Sequence, residues 1–308
     1  MSKHLFGLVV TPHGTAANNR GENEGNITTL QKILWNGEVH TTVSAEAIRW
    51  AYRYFWQRTG REVNRVWDDE ANDYKWQDAR WLPWTDPDGK GKGKKTYIDD
   101  DVLGFMLAEA GKAEGNDAEA KPAKGERRPR IKGTCDKRRG ALEVTRAVSL
   151  TPFTGDITFN AKSGEKERTS LYGTEVHATR YQYGFALTPD WLRDRSRASD
   201  VVDAVTSLSE VAGNHSRFLY DFSPDTVVFR WTDDFAPRFL YGFEMNGGGV
   251  VLRDDVWRRI KAGDIDPKEL VIGGSLSASP QGAELRTMGA HVTEGVKAAA
   301  EEIKRRMR

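Results

Sequence analysis

The chain of 308 residues has one cysteine, no long apolar run and no excess of charge of either sign. The single cysteine, Cys135, excludes a disulfide within the chain and fits a reducing compartment. No apolar run approaches the roughly 20 residues that span a bilayer, and no signal peptide precedes the first apolar stretch. The formal net charge of +1 does not tell how acids and bases are distributed in space. We therefore expect a soluble, cytoplasmic protein with no membrane partner.

Familiar catalytic, metal-binding and nucleotide-binding patterns are also missing. The six histidines lack the spacing of a metal site, and neither G-x-G-x-x-G nor a phosphate-loop lysine motif occurs. His13 either stabilises a turn after the first apolar stretch or serves a nuclease as general acid or base. Gly247 and Gly248 form either a hairpin turn or a point where an RNA backbone approaches closely. We expect no catalytic residue, no metal and no cofactor.

The most informative stretch is a predicted amphipathic helix, V-S-A-E-A-I-R-W-A-Y-R-Y-F-W-Q-R, at residues 43–58. Ser44 is suited to its N-cap. Arg49 and Arg53 are one turn apart, so their guanidinium groups are predicted to reach one groove together. The alternative is a surface helix whose arginines are solvated.

A basic loop precedes this helix. Residues 5–10 predict an apolar strand, which a turn connects to Asn19 and Arg20, and Lys32 follows before the helix begins. A strand, a basic loop and an arginine-bearing helix form a surface that can hold a polyanion backbone without reading its bases.

Residues 61–140 differ in character from both flanks, since they are polar, interrupted and rich in tryptophan. We predict that they form an insertion, with a short helix at residues 99–110. Basic residues at 90–95 and 132–139 are able to neutralise phosphates, although charge runs are usually solvated faces. The tryptophans of the insertion are Trp67, Trp76, Trp81 and Trp84. We expect them to form its small core, and the alternative is that they are platforms on which bases stack.

Without the insertion, the predicted order of elements is strand, helix, strand, strand, helix, strand. This order is typical of the α+β, ferredoxin-like fold shared with RNA-recognition motifs. Y-G-F-A at residues 183–186 partly matches the RNA-contacting strand motif of that fold, although the motif's basic and first glycine positions are missing.

Four collinear matches, the first of which is an N-terminal motif in two parts, resemble a known family. They are N-R-G-E at 19–22, V-S-A-E-A-I-R at 43–49, D-D-D-V-L-G-F-M at 99–106, T-E-V-H-A-T-R-Y-Q-Y-G-F-A-L at 174–187 and S-L-S-E-V-A-G-N-H-S-R-F-L-Y-D-F at 207–222. Together they resemble the guide-RNA-coating backbone subunit of type I CRISPR Cascade complexes, the Cas-seven family of the RAMP superfamily, in its DevR-like branch. The resemblance implies a hand-shaped subunit. Its RNA-recognition-motif-like palm would comprise residues 1–60 and 141–308, with a large finger insertion at 61–140 and a thumb hairpin at 151–173.

The resemblance also implies a set of residues that contact the backbone of the guide RNA. Carried over by motif, these are Asn19, Arg20, Lys32, Ser44, Arg49 and Arg53. Glu46 stands where relatives can have glutamine, and a carboxylate cannot donate to phosphate, so Glu46 receives no RNA contact.

The expected thumb carries apolar groups that would be a liability on an isolated monomer. Docking on a neighbouring copy and wedging beside an RNA base would explain them, with Phe153 as the candidate residue. Lys162, Lys166 and Arg168 would then reach phosphates on either side of the displaced nucleotide. The alternative is that the aromatic groups fold back onto the palm.

Three functions follow from these patterns. The first is a non-catalytic subunit that oligomerises in a helical stack along the CRISPR guide RNA, beside other Cascade subunits, and presents the guide to target DNA. The second is a RAMP-type endoribonuclease acting on precursor or target RNA, for which Glu22 and Glu24 in the loop after the first strand are candidates. The third is a developmental or structural filament protein without RNA.

Overall fold

The computed structural model describes residues 2–17, 23–85, 96–109, 134–161, 171–211 and 219–308. The strands of the first half are β1 (His4–Val10), β2 (Gly14–Ala17), β3 (Asn23–Glu24), β4 (Ile27–Thr28), β5 (Lys32–Trp35), β6 (Glu38–Val43), β7 (Arg65–Asp68), β8 (Asp73–Trp76), β9 (Gly104–Glu109) and β10 (Thr134–Arg139). Those of the second half are β11 (Leu142–Val144), β12 (Ala147–Ser149), β13 (Ile157–Ala161), β14 (Leu171–Thr179), β15 (Tyr181–Leu187), β16 (Thr226–Thr232), β17 (Phe243–Asn246), β18 (Gly249–Leu252), β19 (Leu270–Gly274) and β20 (His291–Thr293). The helices are α1 (Ala45–Arg58), α2 (Leu82–Thr85), α3 (Ile98–Leu103), α4 (Arg197–Ser207), α5 (Asp254–Lys261), α6 (Pro280–Thr287) and α7 (Val296–Met307). The predicted α+β class is confirmed.

A nine-stranded sheet forms the centre of the molecule. Its order is β20-β19-β16-β1-β15-β12-β6-β5, and β11 also pairs with β15. Every pairing is antiparallel except that of β19 with β20. Within this order, α1 lies in the chain between β1 and β12, and α4 lies between β15 and β16.

Both faces of this sheet are covered by other elements. Because the side chains of a strand alternate between its two faces, each strand contributes to two cores. Leu5 and Val9 of β1 pack with α1, α4 and α7, whereas Phe6 and Leu8 pack with α5, α6 and the β17–β18 hairpin. Glycine is required at position 7, since a Cβ there would lie 1.9 Å from the ring of Phe185.

Tyr183 and Phe185 of β15 belong to the core on the side of α1 and are 0% and 1% exposed. They therefore form no stacking surface, and the partial RNA-contacting motif at residues 183–186 is not used in the way that the sequence suggests. The aromatic rings fill the space under the helices instead.

A second sheet has the order β13-β14-β4-β3, with β2 also paired to β14. Strands β13 and β14 form an antiparallel hairpin in which Ile157 pairs with Glu175 and Ala161 with Leu171. Residues 162–170, between these strands, lie outside the described ranges. This antiparallel pair overlaps the predicted stretch 151–173 and extends beyond it, to Glu175, so the thumb bounds stay a prediction.

The predicted insertion contains the β7–β8 and β9–β10 hairpins together with α2 and α3. The expectation of a helix over residues 99–110 is wrong in its second half. The helix ends at Leu103, because Gly104 has a φ of 71° and a Cβ on it would lie 2.3 Å from the carbonyl oxygen of Arg138. Strand β9 begins there.

Across the described ranges, no helix is both long and apolar enough to cross a membrane.

Candidate nucleic-acid interface

The start of α1 is built as the sequence predicts. Ser44 is the N-cap, and its hydroxyl accepts a hydrogen bond of 3.2 Å from the backbone N–H of Ala47. Ser44 directly follows β6, whose Thr41 pairs with Lys32 of β5. The N-terminus of α1 and the edge strand β5 therefore lie side by side.

The two arginines of α1 do not share an open groove. Arg49 is half-buried and donates from Nη2 to the carbonyl oxygen of Leu103 at 2.5 Å. Burial, and then the charge of Arg53, lower its pKa. Arg53 is only 7% exposed and donates from Nε to Asp99 at 3.1 Å. The expectation that both guanidinium groups reach one groove is therefore wrong, because Arg53 is buried against the carboxylate of Asp99.

Three consecutive aspartates at the start of α3, Asp99, Asp100 and Asp101, are 1%, 2% and 0% exposed. Asp99 accepts from Arg53 and from the backbone N–H of Asn64 at 2.7 Å. Sequence reasoning missed this role, although three consecutive acids within an insertion that carries basic runs were the available sign.

Asp100 is hydrogen-bonded by two side chains of the insertion. Asp100 accepts from Trp81 Nε1 at 2.7 Å and from Asn64 Nδ2 at 2.8 Å. Burial, followed by the neighbouring charge of Asp99, raises the pKa of Asp100 to about 7.

Asp101 accepts from the guanidinium groups of Arg138 at 2.8 Å and Arg197 at 2.7 Å, and from the backbone N–H of Arg193 at 3.0 Å. Arg138 lies in β10, and Arg197 begins α4. One buried carboxylate therefore joins β10 to α4 and to the segment before α4.

Lys32 lies in a cluster between β5 and β14. Its Nζ is 2.5 Å from Glu175 Oε2 and 4.8 Å from the ring centroid of Phe153, and its side chain is 28% exposed. Phe153 is half-buried, with its ring edge-on to His177 at 5.5 Å. These contacts of Phe153 favour the alternative that the aromatic groups fold back onto the palm, and a contact of Phe153 with an RNA base stays a prediction.

Other apolar groups of the β13–β14 hairpin remain exposed. Ile157, Phe159 and Leu171 are 39%, 76% and 66% exposed. The register places them on one face of the hairpin, because Phe159 pairs with Gly173 and Leu171 with Ala161. We call these three side chains the apolar strip. Lys162, Lys166 and Arg168, the predicted basic residues of the thumb, lie outside the described residues.

Gly247 and Gly248 form the turn between β17 and β18. Their φ values are 57° and 85°, the left-handed pair that a two-residue hairpin turn requires. Of the two interpretations, the hairpin turn is confirmed, and an RNA contact stays a prediction. Asn19 and Arg20 lie outside the described ranges.

His40 and His177 belong to a buried polar network between β6, β12 and β14. His40 Nδ1 is 2.7 Å from the carbonyl oxygen of Ser149. His177 Nδ1 is 2.7 Å from the hydroxyl of Thr41, which lies 2.8 Å from that of Tyr181. Burial lowers the pKa of His177, which favours its neutral form. Among the described residues, no group of three or more His, Cys, Asp or Glu could hold a metal ion.

The tryptophans of the insertion divide into two kinds. Trp81 is 4% exposed and stacks on Phe105 at 4.8 Å, so the predicted small core is confirmed there. Trp84 lies between two guanidinium groups, 4.0 Å from Arg138 and 3.5 Å from Arg193. Sequence reasoning did not foresee this stack, because Arg193 lies beyond the insertion.

Comparisons with known proteins bear on what this arrangement does. Residues 13–211 match the family described as CRISPR-associated negative auto-regulator DevR/Csa2. The chain is 49% identical over 321 aligned residues to a protein of Myxococcus xanthus (strain DK1622) described as CRISPR-associated protein Cas7/Cst2/DevR, with 100% of this chain and 98% of the relative covered.

Two solved structures share the fold. A chain of a CRISPR RNA-guided surveillance complex, pre-nicking, matches with a TM-score of 0.57 at 13% identity, covering 100% of both chains. A chain of another CRISPR RNA-guided surveillance complex matches with a TM-score of 0.57 at 14% identity, covering 99% of this chain and 100% of the other. At such identities the likeness bears on the fold alone.

Proposed function

The chain belongs to the CRISPR-associated DevR/Csa2 family, and from this premise we propose that it is the guide-RNA-binding backbone subunit of a type I CRISPR surveillance complex of the Cascade kind. The observation that carries the proposal is the 49% identity to a Cas7/Cst2/DevR protein over the whole chain. Copies of the subunit stack along the guide RNA beside other Cascade subunits, and the guide supplies the pairing with target DNA.

In this proposal, residues 1–60 and 141–308 form a ferredoxin-like palm, 61–140 the fingers and 151–173 the thumb. The strand order β16-β1-β15-β12, with α1 and α4 as the two connecting helices, supports a palm of this kind. The sheet face that an open RNA-recognition motif would offer to RNA is covered here by α5 and α6. The guide therefore runs along an edge of the palm and not across its sheet.

The proposed path follows Lys32, Ser44 and Arg49, which lie on neighbouring elements. Lys32 is partly exposed, and exchanging Glu175 for a phosphate would keep its charge paired. Arg49 uses Nη2 for the carbonyl of Leu103, and a guanidinium has further N–H donors for a phosphate. Arg53, buried on Asp99, positions α1 and does not touch the RNA.

The proposed thumb supplies the docking surface between copies. The apolar strip is exposed on one face of the hairpin, where it would otherwise be a surface liability. Docking on a neighbouring copy, beside a displaced base of the guide, would cover it.

Fluorescence anisotropy with a labelled single-stranded RNA, titrated against salt, tests the function. We expect affinity to fall steeply with salt, to depend little on base sequence, and to weaken in Lys32→Gln and Arg49→Gln. Because each substitution removes one phosphate interaction, it should reduce the salt slope by about 0.7, the value for single strands.

Lys261→Gln, which removes the same charge on α5 across the sheet, is the matched control and should bind as the wild type does. Wild-type slopes in both Lys32→Gln and Arg49→Gln would refute the path. A wild-type protein that does not bind RNA would refute the function.

A further inference from the structure

An aromatic and basic cleft of about 630 Å³ lies at the base of the β9–β10 hairpin. This volume is within the roughly 300–1,000 Å³ that small-molecule sites occupy, so the cleft can hold one nucleotide. Its lining residues are Trp84, Phe105, Asp136, Lys137, Arg138, Arg139 and Trp191. They are distinct from Lys32, Ser44 and Arg49 of the proposed guide path.

A second cleft, of about 810 Å³, lies beside the start of α4, where acids and bases are mixed. Arg61 pairs there with Asp200, and Lys304 with Asp203. Because these charges are paired within the protein, the larger cleft attracts neither anions nor cations. The smaller, aromatic cleft is therefore the better candidate for a binding site.

One wall of the aromatic cleft is held by contacts within the protein. The indole of Trp84 lies between the guanidinium groups of Arg138 and Arg193, at 4.0 and 3.5 Å. Arg138 is fixed in turn by hydrogen bonds of 2.8 Å to Asp101 and to the carbonyl oxygen of Trp191. A wall that is ordered before a ligand arrives costs little entropy on binding.

The remaining lining is open to solvent and positively charged. Trp191 is 43% exposed, and Arg139 lies 5.0 Å from its ring centroid. Lys137 is exposed on β10. Arg138 and Arg139 form ion pairs with Asp101 and Glu143, so Lys137 is the candidate cation for a ligand in this lining. Trp84 Nε1 and Arg138 Nε are buried donors without an acceptor in the part of the chain that the structure describes. Such donors are uncommon, and because they are buried they belong to the wall and are not offered to a ligand.

We propose that this cleft binds an unstacked nucleotide of single-stranded nucleic acid, with its base against the indole of Trp191 and its phosphate at Lys137. Stacking of a base on an aromatic ring tolerates any base, because every base has a π-face. An acidic peptide would pair with the cations but leave the exposed indole unused. The inference rests on the proposed function for the source of the strand, and it adds a binding site beyond those of α1 and β5.

Anisotropy titrations with labelled homopolymers test the cleft. The probes are oligo-uridine RNA on the free protein and oligo-thymidine DNA on the protein already loaded with a guide RNA free of adenine runs. We expect Trp191→Ala and Lys137→Gln to weaken the binding of at least one probe about tenfold, within the range that one base stack contributes. Trp191→Phe should restore most of the affinity. Lys261→Gln is again the control, since Lys261 also lies beside an indole, 5.3 Å from that of Trp257.

The two probes distinguish whether the bound strand is the guide RNA or a second strand. Weaker binding of oligo-uridine alone assigns the cleft to the guide, and weaker binding of oligo-thymidine assigns it to a second strand. Wild-type affinity of Trp191→Ala and Lys137→Gln for both probes would overturn the proposal, as would equal competition by polyglutamate. Circular dichroism verifies that the variants are folded. A wild-type protein that binds no RNA would refute the proposed function, whereas a wild-type protein that binds both probes no more tightly than Trp191→Ala and Lys137→Gln do would overturn the cleft alone.

Discussion

Asp100 is a carboxyl group in a place where ionisation is costly. It is 2% exposed and lies next to Asp99, and its pKa is raised from 3.8 to about 7 by burial and then by that charge. Between these two values the folded protein holds a proton that the unfolded chain has released. The free energy of unfolding therefore falls as the pH rises through this window and levels off above it.

Replacing Asp100 with asparagine should remove this dependence. We expect Asp100→Asn to gain stability relative to the wild type between about pH 5 and about pH 8, by an amount on the order of a few kcal/mol at most, since one pKa unit corresponds to about 1.4 kcal/mol. Chemical unfolding at both pH values measures the difference. Asp233→Asn, at an exposed position, is the control. A variant whose stability differs from the wild type equally at both pH values would contradict the expectation.

The difference between Ser44 and Arg53 shows what the sequence can reveal about single residues. Ser44 could be predicted as the N-cap because its partner, the N–H of Ala47, is local. The burial of Arg53 could not, because its partner Asp99 is 46 residues away in the chain. The stack of Trp84 with Arg193 could not be predicted for the same reason, since Arg193 comes from a distant segment.

Among the elements, the β13–β14 hairpin could be predicted in outline because alternating apolar residues are a local pattern. Its register exposes the apolar strip on one face. The end of α3 could not be predicted, because the conformation of Gly104 depends on its close approach to Arg138 in the paired strand. Local patterns thus indicated where elements occur, and contacts between strands decided where one of them ends.

The apolar strip provides a test at the level of the element. Phe159→Ser with Leu171→Ser should disrupt ordered stacking of copies along RNA, because these substitutions remove the surface that docks on a neighbour. Folding of the monomer should be little affected, since both side chains are exposed. Electron microscopy of the RNA-bound protein and thermal unfolding of the free protein measure the two effects.

Phe235→Ser, where Phe235 is 80% exposed, is the matched control for the strip. Its stacks should resemble those of the wild type. Regular stacks formed by the double variant would show that the hairpin is not the thumb.

For the whole molecule, we propose binding without catalysis. His40 and His177 are buried and hydrogen-bonded within the protein, so neither presents its ring to a substrate. His13 is exposed and is the candidate that the nuclease alternative would use.

Incubation of the purified protein with RNA and magnesium tests this proposal. We expect guide and target RNA to stay intact, and His13→Ala to change nothing, because a binding subunit needs no general acid or base. Gel analysis of end-labelled RNA provides the measurement, with a sample lacking protein as the control. Defined cleavage products that vanish in His13→Ala would instead favour the endoribonuclease.

The central position of β1 has a consequence for the order of events during synthesis. All seven residues of this strand are buried, and its neighbours are β15 and β16, so that Leu5 pairs with Leu187 and with Trp231. At about 5–20 residues per second, a ribosome needs roughly ten to forty seconds to supply the first of these partners. During that time the apolar residues of β1 have no neighbouring strand of the sheet to bury them. We therefore expect the newly made chain to expose this strand to chaperones until its second half emerges, and the sheet to close around its oldest segment late.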